Sequence, residues 1–241
     1  MPDNKNERIS AEDWRNKASS PLIECLSFEE LEGIQGYCWE RNYPAGSKIV
    51  EREGEDDSVY FIVEGCVNVL NYSASGRAIT YTSLSEGDVF GEMAAIDGSP
   101  RSAWVIAISD CSVFRVAANA FKWLLESNHK FALILLKKLT ENLRASNERL
   151  TDIFALGAEQ RACIELIRMA KPDPQQPDFY LVRQMPTHAS FANMIGSSRE
   201  TVSRIMSRLK SDAIISSTVH GLQILDRGQL EKRAFDRNLG R

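Results

Sequence analysis

Two short stretches of this sequence bring together residue types that can do chemistry. In Phe90-Gly91-Glu92-Met93-Ala94-Ala95-Ile96, followed by Arg101-Ser102-Ala103, a Gly-Glu pair, an arginine and a hydroxyl lie around one turn. An arginine can pair bidentately with a phosphate diester, Ser102 and nearby backbone N–H groups can donate to the remaining oxygens, and Glu92 can accept from a ribose hydroxyl. The set suits a sugar phosphate. A surface ion pair between Glu92 and Arg101 is the competing reading, and spacing alone weighs the two about equally.

The second stretch is Ser198-Arg199-Glu200-Thr201-Val202-Ser203-Arg204. Ser198 is a helix N-cap by type, and Arg199, Glu200 and Arg204 then share a face of the helix that follows. Arginines suit the O6 and N7 acceptors of guanine, and a glutamate suits the N4 amino donor of cytosine. Thr187, Ser198 and Thr201 are hydroxyl residues placed to hold a phosphate backbone.

The elements that must position these residues differ along the chain. From about residue 44 to 116, β-branched and aromatic segments alternate with glycines. Gly54, Gly65, Gly76, Gly87 and Gly98 recur every eleven residues. Strands are expected at Val59–Val63, Val67–Tyr72, Ala78–Leu84, Ala103–Ile108 and Ser112–Val116, with glycine supplying positive φ in the turns. Such even spacing points to a sandwich or roll.

From Ala118 to Ile153 the period becomes helical. Ala132, Leu136, Leu139, Leu143, Ser146, Leu150 and Ile153 recur at alternating four- and three-residue steps, the seam of a coiled coil. A helix packed only on its own domain is the alternative. A single chain has no second long helix to pair with the seam, so a homodimer explains it better.

After Gly157, a helix is expected over Glu159–Ala170 and a loop at Lys171-Pro172-Asp173-Pro174-Gln175-Gln176-Pro177. Thr187 to Ile195, the turn at Gly196, and Arg199 to about Lys210 read as helix-turn-helix. Ile214-Ile215, a turn at His220-Gly221 and Leu222–Leu225 read as the hairpin of a wing.

Bulk properties narrow the classes. The chain of 241 residues has room for two small domains, and its 43% hydrophobic and 26% charged residues are ordinary for a globular protein. Its net charge of −4 is unevenly spread. Residues 1–157 carry 16 Lys and Arg against 24 Asp and Glu, whereas residues 158–241 carry 13 against 9. The C-terminal third is the candidate for a polyanion. The five cysteines are widely spaced and form no C-x-x-C pair, so small apolar fillers are expected, with neither a disulfide framework nor a zinc site. No apolar run approaches a membrane span and the first twenty residues lack a signal peptide's apolar stretch, so a cytoplasmic protein without a membrane partner is expected.

Gly91-Glu92, Arg101-Ser102-Ala103, the heptad helix and the Ser198–Arg204 stretch together resemble the CRP/FNR family, from about residue 21 to the end. The resemblance implies an α+β protein: an N-terminal β-roll of eight strands that binds a cyclic nucleotide, a long dimerisation helix and a C-terminal winged helix-turn-helix. The expected divisions are a polar tail at 1–20, the roll at 21–125, the dimer helix at 126–156 and the DNA-binding domain at 157–241. Gly91, Glu92, Arg101 and Ser102 would then hold ribose and cyclic phosphate, and Thr82 and Leu84 would line the pocket. Ser146 would reach the base, and Asn147 the base of the other subunit's ligand. Asn142 stands on the long helix where a cyclic-nucleotide-binding member of the family has an arginine near the phosphate, and Ser146-Asn147 replaces that member's Thr-Ser pair.

The ligand implied is cAMP or cGMP. An iron–sulfur sensor would need a close N-terminal cysteine cluster, where only Cys25 and Cys38 stand, and a haem sensor would need a histidine in the roll. The histidines are His129, His188 and His220. The expected partners are a palindromic double-stranded operator, a second copy of the chain, and RNA polymerase. The alternative is a cyclic-nucleotide-binding module that regulates a partner protein without touching DNA. An enzyme built on Ser102, His129 and an acid is a third class, disfavoured because no histidine lies in a motif that places it beside a nucleophile.

Overall fold

The computed structural model describes residues 7–73, 76, 78–173, 179–183, 185–219 and 221–235. The chain divides into two compact units, Met1–Arg144 and Ala145–Arg241, with the division inside one long helix.

The first unit contains β1 (Glu7–Arg8), three short helices α1 (Ala11–Lys17), α2 (Pro21–Glu24) and α3 (Phe28–Ile34), and the strands β2 (Cys38–Tyr43), β3 (Lys48–Val50), β4 (Val59–Glu64), β5 (Cys66–Tyr72), β6 (Ala78–Ser85) and β7 (Val89–Phe90). There follow α4 (Glu92–Asp97), β8 (Trp104–Ala107), β9 (Cys111–Val116), α5 (Ala118–Ser127) and α6 (His129–Ala155). The strands form two sheets, ordered β1-β2-β9-β4-β7 and β3-β8-β5-β6. The expected segments are all present, each within a residue or two of its expected ends.

The sequence of β4 shows why the first sheet is buried on both faces. Val59 and Phe61 point into a core with the helices, while Tyr60 and Ile62 point into the core between the sheets. With side chains alternating between faces, a strand covered on both sides is apolar throughout. Cys38 lies in the first core and Cys111 in the second. Burial pushes the Cys38 thiol up to about 12. Four of the five cysteines are buried and none is in a disulfide, in keeping with small apolar filler.

The polar tail expected at 1–20 is corrected from residue 7 onward. β1 pairs with β2, and Trp14 on α1 is fully buried, edge-on to Phe61 and Phe114 at 5.3 and 4.8 Å. Few apolar residues mark this segment, but Ile9, Ala11 and Ala18 are buried in the first core with Trp14, and a capping box between Ser10 and Asp13 starts the helix that carries Ala11 and Trp14. It adds a ninth strand to the eight expected. The glycine rule also has one exception: Gly65, Gly76, Gly87 and Gly98 have positive φ, whereas beside Gly54 the left-handed residue is Glu53, φ 63°.

The helical stretch expected from Ala118 is interrupted. Asn128 is extended, its Oδ1 accepts from Phe131 N at 2.9 Å, and its Nδ2 donates to Glu30 Oε1 at 2.9 Å. The asparagine ends α5 and starts α6 in a new direction. Phe131 and Leu135 anchor α6 in the first core. The side chain of Ile153 lies outside the described residues.

The second unit contains α7 (Ala158–Met169), β10 (Lys171–Pro172), β11 (Tyr180–Val182), α8 (His188–Met194), α9 (Arg199–Ser211), β12 (Ile215–Thr218), β13 (Gly221–Ile224) and α10 (Arg227–Phe235). The sheet order is β10-β11-β13-β12. Lys171 and Pro172, expected in the loop, form an edge strand, where proline's missing N–H costs no ladder bond. Residues 174–177 of that loop and His220 of the wing turn lie outside the described residues. Phe191, Ala192 and Ile195 of the α8 segment pack against Val202, Ile205, Met206 and Leu209 of α9 in one core. Among the described residues no helix is long and apolar enough to cross a membrane, and no cluster of three or more His, Cys, Asp or Glu could hold a metal.

Candidate ligand cassette and DNA-reading helix

The first site forms where β7 turns into α4. Tyr60 pairs with Phe90 across β4 and β7, and the two rings stack at 5.0 Å with planes 6° apart. Gly91 follows with φ +84°; a Cβ there would meet Arg101 Nη1 at 2.6 Å and Ser58 O at 2.8 Å. Only glycine combines that backbone conformation with so close an approach.

Arg101 is 4% exposed. Its Nη1 donates to Gly91 O at 2.8 Å, its Nη2 to Ser58 O at 2.5 Å, and Asp56 Oδ2 lies 3.5 Å from Nη2. The Nε–H has no partner. The surface Glu92–Arg101 ion pair is therefore not what forms: the arginine is withdrawn under the turn. Glu92 is half-buried, and burial raises its carboxyl above its ordinary value against the lowering effects of its own backbone N–H, Lys138 and Arg101. Lys138 itself donates to Asp88 Oδ1 at 2.6 Å.

The other expected residues are placed as follows. Ser102 is exposed, and its hydroxyl approaches Met93 Sδ at 3.8 Å. Thr82 and Leu84 share one face of β6, opposite Val69 and Val67 of β5. The structure thus brings Gly91, Glu92 and Arg101 together, with Ser102 next in the chain. Ser146 and Asn147 are exposed and belong to the second unit. Asp56 and Ser58 were not singled out from the sequence. The one signal for them was the run Asp56-Asp57-Ser58 entering a buried strand.

In the second unit, Thr187 Oγ1 accepts from Ser190 N at 3.2 Å, capping α8, and Ser198 Oγ accepts from Thr201 N at 3.2 Å, capping α9. Gly196 takes the positive φ of the turn between them. His188 Nδ1 lies 2.9 Å from Ser203 Oγ, a hydrogen bond between the two helices. Arg199, Glu200 and Arg204 are exposed, while Val202, Ile205, Met206 and Leu209 fill the core face. Arg204 curls along its own helix, Nη2 to Thr201 Oγ1 at 3.3 Å and Nε to Glu200 O at 3.4 Å. Bonds of that length are weak and give way to a better acceptor. Glu200 is held below the usual carboxylate range by its own backbone N–H and the Ser198 hydroxyl.

Comparison with known proteins matches two separate stretches of the chain. Residues 40–128 match the cyclic nucleotide-binding domain family, and residues 160–233 match the Crp-like helix-turn-helix domain. The "cAMP-activated global transcriptional regulator CRP" of Pasteurella multocida is 29% identical over 198 residues, covering 81% of this chain and 93% of that protein. The regulator Vfr of Pseudomonas aeruginosa is 26% identical over 193 residues, covering 78% and 89%. FixK2 from Bradyrhizobium japonicum shares the fold, with a TM-score of 0.69 at 22% identity over 81% of this chain and 96% of that one. So does a CooA variant from Carboxydothermus hydrogenoformans, with a TM-score of 0.73 at 19% identity over 90% and 96%. Those relatives named for a function are transcription regulators, not enzymes. A cyclic nucleotide-binding roll, a long helix and a Crp-like helix-turn-helix in this order make the chain a DNA-binding transcription regulator of the CRP/FNR family.

Proposed function

We propose that the protein is a cytoplasmic homodimer that binds cAMP, and also cGMP, in its roll and in response binds a palindromic DNA operator through α9. The observation that carries the ligand reading is Arg101: a buried cation with one carboxylate 3.5 Å away and an N–H without a partner. A buried charge so incompletely matched favours an arriving anion, and a cyclic phosphate provides it. In this reading Gly91, Glu92, Arg101 and Ser102 hold the ribose and phosphate, and Thr82 and Leu84 form the wall.

The dimer is supported by the exposed seam. Leu136, Leu143 and Leu150 are 59%, 62% and 53% exposed on the single chain, while α6 anchors itself through Phe131 and Leu135 instead. Apolar residues repeated along an exposed helix are covered by a second copy of that helix. Two α9 helices related by the dimer axis read half-sites about one helical turn apart, roughly 34–36 Å. The family resemblance suggests halves related to TGTGA. Ser146 and Asn147 are assigned to the base of the nucleotide, the latter across the dimer. An Asn amide offers both an acceptor and a donor, so adenine and guanine can each be paired. RNA polymerase is the remaining partner in this reading. The exposed Arg199–Arg204 face argues against a module that regulates a partner protein without DNA.

The test is titration of the purified protein with cAMP and cGMP, with and without operator DNA, alongside its mass in solution. Nucleotide binding by a dimer, with tightened operator affinity, is the expected result. A monomer, or a protein that binds neither nucleotide, overturns the proposal.

A further inference from the structure

The cassette arginine is held by a residue outside the cassette. Among the described residues, Asp56 is the one carboxylate within ion-pair range of Arg101. Its oxygens also accept from Ser58 N at 3.3 Å, Ser58 Oγ at 2.8 Å, Tyr60 Oη at 2.5 Å and Arg115 Nη2 at 2.8 Å. Every one of these partners donates, so the position calls for a group that only accepts, which is a carboxylate. Burial works to raise the Asp56 carboxyl, but the Tyr60, Arg115 and Ser58 hydrogen bonds and the Arg115 charge outweigh it and hold the group well below the usual range.

The node reaches Arg101 by three routes. One is the direct charge, at 3.5 Å. The second is Ser58, whose side chain and N–H are tied to Asp56 and whose carbonyl takes Arg101 Nη2. The third is Tyr60, tied to Asp56 by its hydroxyl and stacked on Phe90, the residue before Gly91. We infer that Asp56 is the positioning residue of the cassette: it sets the orientation of the Arg101 guanidinium for the phosphate of a cyclic nucleotide without itself touching the ligand. The inference rests on the cassette being a cyclic nucleotide site. Asp56 is not a rival for the arginine, because its contact with Arg101 is the longest of its contacts. A phosphate that takes that edge of the guanidinium leaves the shorter bonds of Asp56 in place.

The experiment is calorimetric titration of the full chain and its Asp56→Asn variant with cAMP and with the Sp and Rp phosphorothioate analogues of cAMP. The analogues differ only in which exocyclic oxygen is replaced by sulfur, so the ratio of their affinities reports how the arginine meets the phosphate. An amide at position 56 turns an N–H₂ toward donors. The expected loss for cAMP is about tenfold, the scale of one hydrogen bond to a charged group, together with a change of about threefold or more in the Sp/Rp ratio. Asp57→Asn, one residue along and exposed, is expected to match the wild type on both counts. An unchanged or tighter cAMP affinity in Asp56→Asn overturns the inference, and so does a weaker affinity with the Sp/Rp ratio intact, since a merely structural role gives that. If the wild type binds neither cAMP nor cGMP, the cassette reading falls and this inference with it. Should Asp56→Asn fail to fold by circular dichroism, Tyr60→Phe keeps the ring and removes one donor. It then carries the same test, with an expected loss of about threefold and the same change of ratio.

Discussion

The two sites of this protein handle their arginines in opposite ways. Arg101 in the roll is withdrawn, bonded to carbonyls of Gly91 and Ser58 and paired with Asp56, which stands 45 positions away in the chain. Arg199 and Arg204 on α9 stand exposed, and the bonds of the Ser198 cap and of Arg204 link residues at most four apart. A site for a small anion must exclude water and satisfy a desolvated cation, so it draws on distant strands. A site for a DNA groove must present side chains outward, and one capped helix is enough.

The comparison is broken most directly at Arg101. Arg101→Ala is expected to remove nucleotide binding while leaving a folded dimer, a loss of at least about tenfold, from roughly 1.5–3 kcal/mol for a hydrogen bond to a charged group. Calorimetry with cAMP checks it, and an unchanged affinity would falsify the pocket. Gly91→Ala tests the same point through the backbone. The added methyl meets Arg101 Nη1 at 2.6 Å and must sit at φ +84°, so a comparable loss is expected.

At the exposed site the effect is confined to one base. Glu200→Ala is expected to relax choice at a single operator position by about 1–3 kcal/mol, read by binding-site selection, with nucleotide affinity unchanged. A uniform fall across all operator positions would move Glu200 from reading to positioning.

Asn147→Ala sharpens the comparison on the ligand side. If the amide pairs both bases, its loss leaves a polar group of one base unsatisfied, at about 1–3 kcal/mol, and changes the cAMP-to-cGMP ratio. A wild type that prefers cAMP by more than about a hundredfold, beyond the one or two decades such a penalty spans, contradicts the assignment. Ser198→Ala is expected to cost about 1 kcal/mol, seen in the denaturant midpoint of the second unit and not in cAMP affinity.

Acid separates the two carboxylates. Both Asp56 and Glu200 are held below their ordinary values, but Glu200 is fully exposed, so Asp56 is the one expected to contribute stability above the usual carboxylate range and to lose it as pH falls through its lowered folded value. Asp56 has tertiary partners in Arg115 and Arg101 beside the nearby Ser58 and Tyr60, whereas those of Glu200 belong to its own helix start. Asp56→Asn should therefore move acid unfolding of the first unit, followed by near-ultraviolet circular dichroism. Glu200→Gln should leave the curve in place.

The legibility of each region follows from the same contrast. The Gly196 turn and the Ser198 cap were readable to the residue, because caps and turns are decided over three or four neighbours. The wing hairpin was readable as a hairpin, but its first strand runs three residues past the expected Ile214-Ile215, to Thr218. The strands β4 to β6 were readable from their apolar runs and glycine turns. Three features were not. Asn128 was hidden in a helical period because its bond to Glu30 crosses 98 positions, Trp14 because one indole in a polar segment makes no pattern, and Gly54 because the left-handed turn fell on Glu53.

What the amino-acid sequence determined by itself was the order of the elements, the types of residue at each site, and the face of α9 turned outward. All three follow from periodicity and capping, which act between near neighbours. The state of Arg101 was decided only by the tertiary structure. Whether an arginine at that position meets solvent, pairs with Glu92 or lies under Gly91 depends on the Ser58 carbonyl and the Asp56 carboxylate. Strand pairing between β4 and β7 brings those groups to it from another part of the chain.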